Sequence, residues 1–183
     1  PGALGQSDYA VVRFNADGTD DTSFAGDGGT SVAFDYDAAN NRVNDTPQRV
    51  ATAPDGSVFV AGTVQFRTSG GAITALGVAK LKPDGSLDGS FDNTGTGLAA
   101  YCRTRCDNVL HVARIVHDAA RNRILIGGDH EVGADNTDWF IVDKIPGGNF
   151  QQDSYAVDLG GASGIQLAYM TDLAVQADGK PVA

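Results

Sequence analysis

The sequence predicts an all-β chain built from tandem four-stranded units. Three observations carry that expectation. One phrase occurs twice: Asp8-Tyr-Ala-Val-Val-Arg-Phe-Asn-Ala-Asp17-Gly18-Thr-Asp-Asp21-Thr-Ser-Phe24 returns as Leu76-Gly-Val-Ala-Lys-Leu-Lys-Pro-Asp84-Gly85-Ser-Leu-Asp88-Gly-Ser-Phe91, with a worn third copy at Trp139-Phe-Ile-Val-Asp-Lys-Ile-Pro-Gly147-Gly148. A second phrase, Val50-Ala-Thr-Ala-Pro-Asp55-Gly56-Ser-Val-Phe-Val-Ala-Gly62, recurs loosely from Val112 to Gly128 and closely from Leu173 to Ala183. A repeat of about sixty residues is the mark of a stacked array of like units. The third observation is compositional. Of 23 acidic residues 22 are Asp, Glu131 being the only Glu, and Gly supplies 24 of 183 positions. Asp and Gly serve turns, where Glu would serve helices, and period-two alternation outruns any sustained 3.6-residue period.

Taken in order, residues 1–48 read as a partial unit, 49–110 and 111–170 as full units, and 171–183 as a further partial one, all within a single repeat domain. In the first full unit the predicted strands are Arg49–Ala53, Ser57–Gly62, Leu76–Leu81 and Gly97–Tyr101. Pro54-Asp55-Gly56 makes the first hairpin turn, with Gly supplying a positive φ. The strand Ser57–Gly62 is apolar on both faces, as in sheets stacked face to face. In the second full unit, aligning Val112 and Ile124 with Val50 and Val58 predicts about four extra residues in the hairpin at His117–Asn122. Four antiparallel strands per unit in tandem describe a β-propeller-like repeat. About three units fall short of the usual four to eight blades. An incomplete ring is therefore expected, finished by remaining blades of a longer chain or by identical chains. Pro1 in place of Met and an end at Ala183 inside a strand fit a processed or partial chain.

The phrase Val12-Arg-Phe-Asn-Ala-Asp-Gly-Thr-Asp-Asp-Thr-Ser-Phe, followed by Ala-Pro-Asp-Gly-Ser-Val-Phe-Val-Ala-Gly, resembles the delta-60 repeat family of bacterial exported and surface proteins. The resemblance covers most of the chain and fades between Gly147 and Tyr169. It implies a propeller-like scaffold, extracellular, at the cell surface or in the periplasm, and transfers no catalytic residue.

A net charge of −10, with nine Arg and four Lys scattered along the chain, argues against nucleic-acid binding, which needs clustered cations. No apolar run approaches the roughly 20 residues of a membrane-spanning helix. Asn15, Asp17 and Asp21 are a candidate calcium set, since oxygen ligands around a central Gly suit a hard cation. The second copy places Lys82 where Asn15 stands, however, and neither copy has the closing bidentate Glu. A turn shaped by Asp17 and Asp84, with Asp21 and Asp88 bonding its backbone, is the expectation, and no cofactor is predicted. Cys102 and Cys106 are expected to pair as a disulfide. A zinc site joining them to His111 and His117 is rejected, because six residues of strand hold the histidines about 20 Å apart.

Asp129, His130 and Glu131 are the candidates for acid–base chemistry, placed at a strand end where an inter-strand loop begins. No nucleophile elbow or phosphate loop is present: Gly161-Ala-Ser163-Gly164 and Gly26-Asp-Gly28-Gly29 read as turns. The expected function is a non-enzymatic binding or surface-interaction scaffold. The alternative is a polysaccharide hydrolase or lyase with its site at the propeller's central mouth, and a third possibility is a cation-stabilised array.

Overall fold

The computed structural model describes residues 7–34, 44–68, 71–101, 109–133, 136–151, 166–167 and 169–183. Among these the regular structure is strand, with a single 3-10 turn at Ala119–Arg121. The all-β, blade-by-blade architecture predicted from the repeat is the one observed.

The first complete blade is an antiparallel meander of β3 (Thr46–Thr52), β4 (Val58–Thr68), β5 (Gly71–Leu81) and β6 (Leu98–Tyr101). The second is built identically from β7 (Val109–Asp118), β8 (Arg123–Gly133), β9 (Asn136–Lys144) and β10 (Phe150–Gln151), and β11 (Gln166–Leu167) runs parallel to β9. Ahead of them β1 (Tyr9–Val12) and β2 (Gly29–Val32) pair as the third and fourth strands of a blade. Beyond them β12 (Ala174–Val175) and β13 (Pro181–Val182) pair as the first and second. The register establishes these roles. Tyr9 faces Val32 as Leu76 faces Tyr101, and Val58 faces Thr52 as Pro181 faces Val175.

Three apolar clusters hold the stack together, one at each interface between blades. Alternation along β4 explains why: Val58 and Val60 point back to a cluster with Tyr9, Phe24 and Phe34, while Phe59 and Ala61 point forward to one with Ile115, Ile124 and Phe140. The third cluster joins Leu125 and Ile141 to Met170 and Leu173. A strand buried on both faces needs apolar residues at odd and even positions alike. The expectation of face-to-face sheets is met. First strands lie side by side, β3 against β7 and β7 against β12, along the inner edge of the stack. The fourth strands stand at the outer edge.

Beyond longer strands, with β4 running on to Thr68 and β5 starting at Gly71 where Gly62 and Leu76 were expected, two details differ from the sequence expectation. The second unit's hairpin holds one extra residue, where four were expected. Its first strand carries a bulge at Val112–Arg114 matching the bulge at Pro47–Arg49, so Arg114 opposite Gly127 corresponds to Arg49 opposite Ala61. His117 and Asp118 are therefore strand, and the turn is Ala119–Asn122, closed by Asn122 in the left-handed region at φ 48°. The second difference is that Asp129, His130 and Glu131 lie inside β8 and begin no loop. The preceding Gly127-Gly128 reads as a strand end, but these glycines serve close packing. A Cβ at Gly128 would strike the His111 carbonyl, and one at Gly127 the Met170 sulfur.

Candidate functional site

The most repeated polar residues form a latch between blades. Asp17 Oδ1 accepts the Thr19 amide (3.0 Å) and hydroxyl (2.7 Å), and Asp84 Oδ1 does the same with Ser86 (2.9 and 2.7 Å). Asp21 takes the Ser23 amide and hydroxyl on one oxygen and the Arg13 guanidinium, at 2.7 Å, on the other. Asp88 repeats this with Ser90 and with Lys80 at 2.6 Å. Three residues beyond each aspartate, Phe24 and Phe91 are fully buried in the interface with the next blade. Each latch then meets the following blade's turn. Ala25 N–H donates to the Asp84 carbonyl at 2.8 Å, and Gly147 N–H donates to the Phe91 carbonyl at 3.1 Å. Hydrogen bonds to Thr19 hold Asp17 below the usual carboxylate range, as those to Ser86 hold Asp84. Of the candidate calcium ligands, Asn15 donates its side-chain amide to Thr19 Oγ1 and the Asp20 carbonyl.

At the inner edge, β8 directs Asp129 onto His111 of β7. Asp129 Oδ2 lies 3.1 Å from His111 Nδ1, and its other oxygen accepts the Met170 amide at 2.5 Å. On the far side of the imidazole, Arg49 Nη2 stands 3.2 Å from Nε2, while Arg49 Nε donates to the Ala113 carbonyl at 2.6 Å. Asp129 is buried and His111 half-exposed. Strand alternation separates Asp129 from its neighbour His130, which is buried with its ring 6.0 Å from Phe140. The sequence candidates Asp129 and His130 therefore do not converge on one point. Asp129 joins a polar constellation whose other members, His111 and Arg49, lie 18 residues or more away in the chain. His117 turns instead to the blade interface and stacks on Phe59 at 5.4 Å. Arg114 and Asp172 pair at 3.5 Å where β7 adjoins the next blade. Cys102 and Cys106 lie outside the described residues. Among the described residues no three His, Cys, Asp or Glu side chains gather closely enough to hold a metal ion.

At the outer edge a cavity of about 630 Å³ runs along β6 between the two complete blades. Tyr101 and Phe150 form an aromatic wall with ring centroids 5.3 Å apart. Lys144 lines it at the repeat position held by the core residue Leu81, and is itself only 1% exposed. Its Nζ donates to the Phe91 carbonyl (2.8 Å) and the Gly148 carbonyl (2.5 Å), and lies 4.5 Å from the Phe91 ring centre. Burial pushes the Lys144 pKa below its ordinary value, against the attraction of Asp92. Asp92 stands where the earlier latch has Ala25. It accepts the amides of Gly97 (2.8 Å) and Thr94 (3.1 Å) and the hydroxyls of Thr94 and Thr96. Burial raises its pKa, but these hydrogen bonds outweigh burial and hold it at about 2. Asn93 Nδ2 donates to Asn149 Oδ1 at 3.0 Å, joining one blade's loop to the next blade's turn. A signal for this site was present in the sequence: Lys144 closes the apolar run Trp139–Val142 where the matching copy has Leu81.

This arrangement defines a β-propeller-like repeat domain with two departures from its own pattern, one at each edge of the same blade interface. Residues 3–24 and 53–91 match the sequence profile of the DUF5122 β-propeller, a domain of unknown function. The chain is similar to that family over two stretches, each ending on a latch phenylalanine. No curated protein and no solved structure matches the chain.

Proposed function

We propose that this domain is a non-enzymatic binding scaffold of an exported bacterial protein of the delta-60 repeat type, acting at the cell surface or outside the cell. The observation that carries this is where the repeat breaks its own rules. Polar residues common to the units are spent on hydrogen bonds within the latches. Four blade-specific ones, Asp92, Asn93, Lys144 and Asn149, surround one cavity at the outer edge. Local variation on a constant frame is how repeat arrays acquire ligands.

The stack also offers a surface for further blades. Val12 and Phe14 are 63% and 58% exposed at positions where Ala79 and Leu81 are 0% and 1% exposed. A further blade of the same kind, from the same chain or an identical one, would cover them.

The enzymatic alternative rests on the His111–Asp129 pair, since a buried carboxylate on Nδ1 orients an imidazole for proton transfer. Incubating the purified domain with a polysaccharide panel and following reducing ends and unsaturated products separates the two. Binding without turnover is expected. Turnover that disappears in His111→Ala would establish the enzyme.

A further inference from the structure

The cavity along β6 carries two charges, and the protein has already used both. Lys144 gives two N–H bonds to backbone carbonyls and stands over the face of the Phe91 ring. Asp92 receives four donors from its own loop. The charges offset one another, so the cavity has no exposed ion to capture a charged ligand, and a protein of net charge −10 repels anions at long range.

What remains unspent is neutral. Asn93 keeps its side-chain carbonyl and Asn149 its NH2 group after their mutual bond, and neither has another partner among the described residues. Beside them stands the aromatic wall of Tyr101 and Phe150. An acceptor next to a donor matches vicinal hydroxyls, each of which donates and accepts. A ring whose other face is C–H packs on aromatic carbon. The volume lies within the range of small-molecule sites.

We propose that this interblade cavity binds a neutral saccharide, with its apolar ring face against Tyr101 and Phe150 and its hydroxyls on Asn93 and Asn149. The proposal rests on the binding-scaffold reading and supplies its ligand class.

The test is a glycan array carrying neutral gluco-, manno-, galacto- and xylo-oligosaccharides beside uronate-containing and sulfated ones. Calorimetry on each hit follows, at low and high salt. The expected result is a neutral ligand whose affinity changes less than about twofold with salt, because no ion pair is formed. Asn93→Ala and Asn149→Ala, both at exposed positions, should each weaken it about tenfold with the melting temperature unchanged. Binding confined to acidic glycans and lost in salt overturns the ligand class. Binding untouched by both variants overturns the site, and an array without hits overturns both. Release of cleaved product by a bound neutral sugar would leave the site standing and remove the non-enzymatic reading.

Discussion

Replacing Lys144 by Leu restores the residue that the repeat itself uses at position 81, and the structure predicts that the domain becomes more stable. The opposing terms can be compared. Lys144 forfeits the hydration of an ammonium, an effective penalty of several kcal/mol per buried ion. Its returns are two charge-assisted hydrogen bonds, about 1.5–3 kcal/mol each, and a cation–π contact of about 1–2 kcal/mol. The Phe91 carbonyl keeps the Gly147 amide after substitution. Only the Gly148 carbonyl loses its partner, on a half-buried residue that lines the cavity. Replacing a whole buried ion pair by apolar groups is typically neutral to stabilising by about 1–4 kcal/mol; here Lys144 alone is removed and Asp92 keeps its four loop donors, so about 1–2 kcal/mol is expected. That corresponds to a rise in melting temperature of about 2–8 °C for a chain of this size.

The pH dependence provides a second reading of the same term. The folded protein holds Lys144 below its ordinary pKa, so the unfolded chain binds the proton more tightly and wild-type stability rises with pH. The window runs from the folded value up to the ordinary lysine value near 10.4. The advantage of Lys144→Leu should therefore be greatest at neutral pH and narrow towards pH 10. Urea unfolding of wild type, Lys144→Leu and the longer Lys144→Met at pH 7 and 9.5 measures both effects. A loss exceeding about 1 kcal/mol in both variants at pH 7, or a gap that widens with pH, would refute the reasoning.

Three further outcomes follow from the geometry. Asp92→Ala should cost about 2 kcal/mol near neutrality, the linkage value of a carboxyl lowered from 3.8 to about 2. That contribution is complete above about pH 4 and drains as pH falls through the folded value, so urea midpoints of variant and wild type should converge at the acid end; parallel curves would contradict it. Gly62→Ala drives a Cβ into the Thr46 carbonyl oxygen, whereas Gly18→Ala, at φ +87°, meets open space. The first should disrupt the β3–β4 pairing and the second cost about 1 kcal/mol, as compared by thermal melts. Phe91→Ala should cost about 3–5 kcal/mol through the cavity left between blades, and Asp88→Ala about 1–2 kcal/mol through its lost hydrogen bonds and ion pair; similar denaturation midpoints for the two would show that the latch is not anchored by its phenylalanine.

The features legible in the sequence are those that a few neighbouring residues complete. Asp17-Gly18 and Asp84-Gly85 announce turns because the carboxylate bonds an amide two residues on. Val58 to Ala61 announces burial on both faces because successive side chains point to opposite sides. Misplacement occurred where the deciding contact was remote. Gly127-Gly128 resembles a strand end, yet these residues lack side chains because Met170 and the His111 backbone press against them. Val112 resembles Val50, yet a bulge shifts the register so that it corresponds to Pro47. Proximity in the chain suggested that Asp129, His130 and Glu131 belong together, whereas strand alternation sends Asp129 to His111 and His130 to Phe140.

The repeat phrases alone determined the all-β class, the Asp-Gly turns and the four antiparallel strands of a blade, since each follows from local backbone preference and short-range hydrogen bonding. Only the tertiary structure decided that Lys144 meets Phe91, that Arg49 reaches His111, and that Asn93 bridges to Asn149. Those partners lie 53, 62 and 56 residues apart. They meet because one blade's forward face closes on the next blade's back face. A cavity between two such faces depends on how side-chain volumes from both fail to fill the gap, and no local pattern on either strand records that sum.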